Sequence, residues 1–291
     1  MHFKWTARAT STTATKLAMM SILAKILRGF LRVFNRGPWL SVHRQNLNWK
    51  LDAREAIDCC LILTGHYEEE VERMYHQFLK PGDVVVDIGA NMGAHTLPMA
   101  NLVGEQGKVF AIEATEFAYS KLHNNCLLNP HLKNIIQTEH VFLTDDLTDN
   151  TQQVSASWNI EKKISDPARH PLDKGIGCDI GAARKLTFDQ WAQSQQLERL
   201  DLLKIDVDGN EVQVLSGALS TLARLRPRIL MELSPIHYEG REQKFTQQLN
   251  LLLQLGYRFF DHKGRSISAS AEEVEQMIPR GVLINVMGVM A

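Results

Sequence analysis

Cysteine is scarce in this chain: Cys59, Cys60, Cys126 and Cys178 are the four present, and their spacing matches neither a zinc site nor the disulfide framework of a secreted protein. A reducing, cytoplasmic setting is the natural expectation. Long apolar runs are also missing. Residues 17–36 are interrupted by Lys25, Arg28, Arg32 and Arg36, which rules against a transmembrane span. The same stretch has no clean apolar segment followed by a small-residue cleavage site, so a secretory signal is not expected. Acid is wholly absent from residues 1–51, which carry nine basic residues from Lys4 to Lys50. Without those nine, 23 basic residues face 33 acids, so the formal charge of −1 divides into a basic arm and a body of −10. There is no internal repeat, and no low-complexity tract beyond the Thr/Ala-rich residues 7–15.

What the chain does have is an apolar strand running into a glycine turn, Val-Val-Val-Asp-Ile-Gly-Ala-Asn-Met-Gly from Val84 to Gly93. A dinucleotide fold needs Gly-x-Gly-x-x-Gly, but Asn91 stands at the middle glycine; a phosphate-binding loop needs Lys after its last glycine, and none follows Gly93. The pattern Asp87-x-Gly89-x-Asn91-x-Gly93 instead suits a nucleoside whose recognised end has no phosphate. S-Adenosylmethionine meets that description, and Asp87 is placed to pair with its ammonium. Glu113 ends the next apolar run, Val109 to Ile112, where a carboxylate can accept both hydroxyls of an adenosine ribose. Nicotinamide folds share this acid, and solvated caps also end strands this way.

A second motif discriminates further. Leu-Leu-Lys-Ile-Asp-Val-Asp-Gly-Asn-Glu from Leu202 to Glu211, followed by Val214-Leu-Ser-Gly-Ala218, resembles the signature of the FkbM-type S-adenosylmethionine-dependent methyltransferases. Members typically read Lys-Ile-Asp-Val-Glu-Gly-Ala-Glu there, after an opening motif like Asp87 to Gly93 with a nearby pair like His95-Thr96. Asp208 replaces the usual Glu and Asn210 the usual Ala. The resemblance runs from about Met74 to Ser234. It implies a class I methyltransferase fold, with Asp87, Gly89, Ala90, Asn91, Gly93, His95, Thr96 and Glu113 around the cofactor. It does not bring a substrate with it.

The fold expected is α/β, a doubly wound, seven-stranded, mostly parallel sheet with its last strand antiparallel. Strands are predicted at Val84 to Asp87, Val109 to Glu113, Ile135 to Leu143, Leu202 to Asp206, Ile229 to Leu233, Tyr257 to Asp261 and Leu283 to Val289. Helices are predicted at His95 to Val103, Glu116 to Leu128, Phe188 to Gln195, Glu211 to Ala223 and Lys244 to Leu255. Asp87, Glu113, Asp206 and Glu232 then all stand at carboxyl ends of strands, where such sheets bind ligands. Neighbouring fourth and fifth strands bring Asp206 and Glu232 together beside the transferred methyl. They can act as a general base or hold a divalent metal, metal-independent catalysis being at least as good a reading. His237 is a second candidate base. His95 can touch cofactor or substrate, or simply pack. Lys204 requires a partner in a strand covered on both faces, and Glu211 is the candidate.

Residues 52–291 read as one methyltransferase domain behind an extension, 1–51. A polar insertion, 149–185, is a candidate acceptor lid with Trp158 and His170 as contacts. Along 17–36, Met20, Leu23, Leu27, Phe30, Leu31 and Phe34 fall on one side of a helix and the basic residues opposite. Such a helix can lie on an anionic membrane, dock on the body or a homodimer partner, or act as an organellar presequence, with docking on protein the commoner fate. The acidic body argues against a nucleic-acid acceptor, and no Asn-Pro-Pro-Tyr or Asp-Pro-Pro-Tyr motif follows strand four. A small-molecule or glycan hydroxyl is the expected acceptor, its oxygen attacking the sulfonium methyl in line. The alternative is a methyltransferase acting on a nucleic acid or protein, or a non-catalytic cofactor-binding scaffold of the same fold.

Overall fold

The computed structural model describes residues 22–148, 150–157, 176–238, 242–267, 270–279 and 282–290. Helix α1 (22–33) leads to a hairpin of β1 (Trp39–Arg44) and β2 (Leu47–Asp52). Its turn residues, Gln45 and Asn46, both have positive φ, 52° and 60°. That is the mirror-image turn whose twist matches paired strands, and Asn tolerates it well. Helices α2 (Ala56–Thr64) and α3 (Glu69–Phe78) follow, then the alternating core: β3 (Val84–Ile88), α4 (Thr96–Val103), β4 (Lys108–Glu113), α5 (Glu116–Leu127) and β5 (Ile136–Leu143). A small antiparallel pair, β6 (Gln153–Ser157) and β7 (Ile176–Asp179), precedes β8 (Arg184–Leu186), α6 (Phe188–Ser194) and β9 (Leu202–Ile205). The chain closes with α7 (Glu211–Ser216), α8 (Leu219–Leu225), β10 (Arg228–Leu233), α9 (Glu242–Gln254), β11 (Tyr257–Phe260), α10 (Ala271–Met277) and β12 (Ile284–Met290).

The main sheet has the order β11-β12-β10-β9-β3-β4-β5-β8. Only β12 runs against its neighbours, β10 and β11, as expected for the last strand. The sheet has eight strands rather than the seven expected, because β8 adds itself in parallel beside β5. Arg184-Lys185-Leu186 carries no apolar run to announce it. The single helix expected from Glu211 to Ala223 breaks at Gly217 into α7 and α8. A Cβ on Gly217 would lie 3.2 Å from Thr187 Cβ and 3.4 Å from the Thr144 carbonyl, so the chain crosses closely at that point.

Alternate strand residues serve two cores. Val86, Ile88, Phe110, Ile112, Leu203 and Ile205 face Trp191, Leu215 and Phe245, whereas Val85, Val109, Ala111 and Leu202 face Trp49, Leu61, Met74 and Leu97. The hairpin is therefore part of the second layer: Leu47 and Leu51 are fully buried and Trp49 is 1 % exposed. The boundary expected at residue 51 falls inside β2, and only α1 remains of the described extension. Asparagine side chains cap the outer edge of β2. Asn129 Oδ1 accepts from Asn48 N at 2.9 Å and its Nδ2 donates to Asn48 O at 2.8 Å. Asn125 Oδ1 accepts from Lys50 N at 2.9 Å, while its Nδ2 donates to Met92 O at 3.0 Å. A row of edge groups is thereby satisfied, and the hairpin is tied to the glycine turn.

Candidate active site

The turn after β3 is set by backbone conformation. Gly89, Asn91 and Gly93 all have positive φ, at 77°, 48° and 96°. Asn is among the few side chains that accept this region, which accounts for its place where a dinucleotide loop has glycine. Gly89 N and Ala90 N both donate to Ile112 O at 3.0 Å, binding the turn to β4. A Cβ on Gly89 would lie 1.8 Å from the Asp206 carbonyl oxygen, so the ends of β3 and β9 are in backbone contact.

Glu113, 4 % exposed, organises the other wall. One carboxylate oxygen accepts from Thr115 N at 2.8 Å and Thr115 Oγ1 at 2.7 Å; the other accepts from Asn91 N at 2.9 Å. Burial raises its pKa, against the lowering effect of these hydrogen bonds. The cleft here is lined by Gly89, Asn91, Glu113, Ala114, Phe142 and Val154, and on the far side by Asp206, Val207, Asp208 and Asn210. Phe142 on β5 and Val154 on β6 carry no sequence motif and were not anticipated; they lend an apolar wall. Trp158 and His170 lie outside the described residues.

Asp87 does not line this cleft. It is 1 % exposed behind the turn, accepts from Thr96 Oγ1 at 2.6 Å, and lies 3.4 Å from Lys204 Nζ. The register of β3 and β9 places Asp87 directly beside Lys204, so a buried lysine ammonium of the protein stands next to the carboxylate expected to meet an amino-acid ammonium. Lys204 also lies 3.4 Å from Asp206 Oδ2. Burial alone would push Lys204 down, but Asp87 and Asp206 outweigh it and hold the ammonium above the usual lysine range. Glu211, expected to be the partner of Lys204, instead accepts from Val207 N at 3.3 Å, Gly209 N at 3.2 Å and the Tyr238 hydroxyl, and so fixes the loop after β9. Thr96 is likewise internal, and Ala90 and Gly93 shape the turn from behind the lining.

Further acids gather past the ends of β9 and β10. Glu232 is the penultimate residue of β10, and His237, 9 % exposed, stands between two acidic side chains: Nδ1 is 3.8 Å from Glu232 and Nε2 is 3.9 Å from Asp208. From outside both motifs, the turn before α3 adds Tyr67 and Glu68. Glu68 has φ 49°, an uncommon conformation for such a side chain, and its carboxylate lies 3.4 Å from His95 Nε2. The His95 ring, 4 % exposed, packs 5.4 Å from Tyr67 and 5.8 Å from Tyr75, so it belongs to this wall rather than to the cleft lining. Among the described residues, no group of three or more His, Cys, Asp or Glu is arranged to hold a metal ion.

Burial raises the Glu232 pKa well above its ordinary 4.5, and the charges of Asp206, Glu68, Asp208 and Glu211 raise it further. A raised folded-state value gives stability that is present below the unfolded value and lost as pH rises toward the folded one. Glu232→Gln removes that titration. Denaturation at acidic and alkaline pH should show the variant gaining stability over the parent as pH increases; a pH-independent difference would contradict the assignment.

Residues 87–259, more than half of the chain, match the methyltransferase FkbM domain. The chain belongs to the FkbM methyltransferase family. Among curated proteins, this methyltransferase is 27 % identical to methyltransferase sdnD of Sordaria araneosa over 154 residues, 46 % of this chain and 59 % of that one. It is 35 % identical over 92 residues, 31 % of its length, to the 23S rRNA (uracil(1939)-C(5))-methyltransferase RlmD of Psychrobacter arcticus, of which it spans 17 %. Among solved structures it is similar to the FkbM methyltransferase of Methylobacillus flagellatus KT, at 15 % identity and TM-score 0.43, covering 74 % of this chain and 49 % of that one. It is also similar to Aeropyrum pernix fibrillarin with bound S-adenosyl-L-methionine, at 12 % identity and TM-score 0.39, covering 79 % and 73 %.

The cleft of this family member fits S-adenosylmethionine as a methyl donor. Glu113 stands at the lining, its carboxylate oriented by Asn91 N, Thr115 N, Thr115 Oγ1 and the Ala114 backbone. The turn at Gly89 leaves no room for a side chain. Glu113 would hold the ribose diol and the backbone of Gly89 and Asn91 would lie against the nucleoside. The donor, when bound, supplies a methyl group activated by sulfonium.

Proposed function

We propose that this methyltransferase methylates a hydroxyl oxygen of a small molecule or sugar, with His237 accepting the hydroxyl proton. The placement of His237 between Asp208 and Glu232, at 3.9 and 3.8 Å, carries this reading. An alcohol is a weak nucleophile, so its transfer benefits from a base placed at the acceptor. Burial and acidic neighbours favour the protonated form of Glu232, which suits it to donating a hydrogen bond rather than to acting as the base. Asp206, at the cleft lining, is held by Lys204 and serves to orient.

The same charges weigh against a polyanionic acceptor. Glu68, Asp206, Asp208 and Glu232 all act on the Tyr67 hydroxyl, and a phosphate backbone brought to this wall would meet repulsion. Labelled methyl donor offered to sugars, polyols, phenols, RNA and protein extracts tests the reading. Label is expected in a hydroxyl compound. His237→Ala should lower turnover by about 100-fold or more while leaving S-adenosylhomocysteine affinity unchanged. Label confined to RNA or protein, or no label from a cofactor-competent protein, would contradict it, as would full turnover by His237→Ala.

A further inference from the structure

Helix α1 carries two apolar stripes, and the body covers one of them. Ala24 is fully buried and Leu31 is 9 % exposed; Leu27 packs, partly buried, against the same core. The Arg28 charge reaches the Cys59 thiol of α2. The sequence had suggested a single apolar side containing Phe30 and Leu31 together. At about 3.6 residues per turn, Ile22, Ile26, Phe30 and Val33 instead share the opposite side, and they are 58, 62, 61 and 79 % exposed. Phe34, just past the helix, is 59 % exposed and its ring sits 4.5 Å from that of Phe30. Lys25 and Arg32, both exposed, lie along one flank of the stripe.

Charge indicates what covers this side. Residues 1–51 hold nine basic residues and no acid, while the rest of the chain carries −10. An anionic surface repels the body and attracts the arm, so the molecule would approach with α1 first. A two-fold pairing of α1 with a second copy would instead set Lys25 and Arg32 against their own equivalents. No described helix is long and apolar enough to cross a membrane, and a short apolar row beside cations suits the boundary between headgroups and acyl chains. We propose that α1 docks the methyltransferase in the plane of an anionic lipid surface. Ile22, Ile26, Phe30 and Val33 enter the acyl boundary; Lys25, Arg32 and Arg36 meet headgroup phosphates.

Flotation of the full chain tests this, using phosphatidylcholine vesicles with and without about one-third phosphatidylglycerol. Binding is expected only with the anionic lipid, weakening as salt is added. Ile26→Asp with Phe30→Asp, and separately Lys25→Glu with Arg32→Glu, should each reduce it by about tenfold or more. Both pairs are solvent-facing, and unchanged melting with unchanged S-adenosylhomocysteine affinity verifies that the body is intact. Absence of flotation overturns the proposal, and so does equal flotation by all variants. A concentration-dependent dimer in sedimentation that the Ile26/Phe30 pair dissolves, without vesicle binding, assigns the stripe to a second copy and likewise overturns it.

Discussion

Gly89→Ala is expected to cost the methyltransferase about 3 kcal/mol or more of folding stability, several times the effect of the same change at Gly264. Both glycines have positive φ, 77° and 73°, so both incur the conformational penalty of a side chain there, about 1 kcal/mol. They differ in what the new methyl meets. At Gly264 nothing lies within 4 Å, whereas at Gly89 the Cβ would fall 1.8 Å from the Asp206 carbonyl oxygen and 2.9 Å from its carbon. That obstacle is backbone and cannot rotate away. Relief would require the ends of β3 and β9 to separate, and with them the Lys204 contacts to Asp87 and Asp206 that cross the same strands. A buried ammonium drawn away from its carboxylates is among the costlier changes a core can suffer. Urea denaturation of the two variants measures the difference; equal stabilities would mean that the strand ends are not in contact.

Glu113→Ala should weaken S-adenosylhomocysteine binding by about 30-fold or more, as loss of charge-assisted hydrogen bonds worth about 2 kcal/mol implies. Part of the effect is indirect. The same carboxylate accepts from Asn91 N, Thr115 N and Thr115 Oγ1, so its removal also loosens the turn that faces the nucleoside. Glu113→Gln keeps an acceptor oxygen and the size of the side chain, and should lose less affinity than the alanine variant. Calorimetry gives the affinities, and a melt of each variant separates site loss from unfolding. Alanine and parent binding alike would remove Glu113 from the donor site.

The strand ends were legible because apolar runs stop at acids, and parallel sheets gather those ends in one place. Asp87, Glu113, Asp206 and Glu232 were all placed correctly along the chain by that logic. Neighbours across the sheet were not legible. Strand pattern shows that Lys204 is buried, but only register shows that it faces Asp87. Tyr67 and Glu68 escaped notice because they reach the site from a turn far from either motif. In β8, three residues without an apolar run gave no periodic signal at all. For α1, helical periodicity showed that apolar positions existed. It could not say which stripe the body would cover, since both recur at helical spacing.

Amide hydrogen exchange with and without S-adenosylhomocysteine tests most directly that the donor lies at the carboxyl ends of β3, β4 and β9. Protection is expected over residues 88–93, 112–115 and 206–210, the segments that carry the cleft-lining residues Ile88, Gly89, Asn91, Glu113, Asp206 and Asn210. The arginine-rimmed hollow at the opposite strand ends, with Arg199, Arg224, Arg226 and Arg228 on its rim, should exchange as before. Protection concentrated at that hollow, or none at the cleft under saturating ligand, would contradict the account.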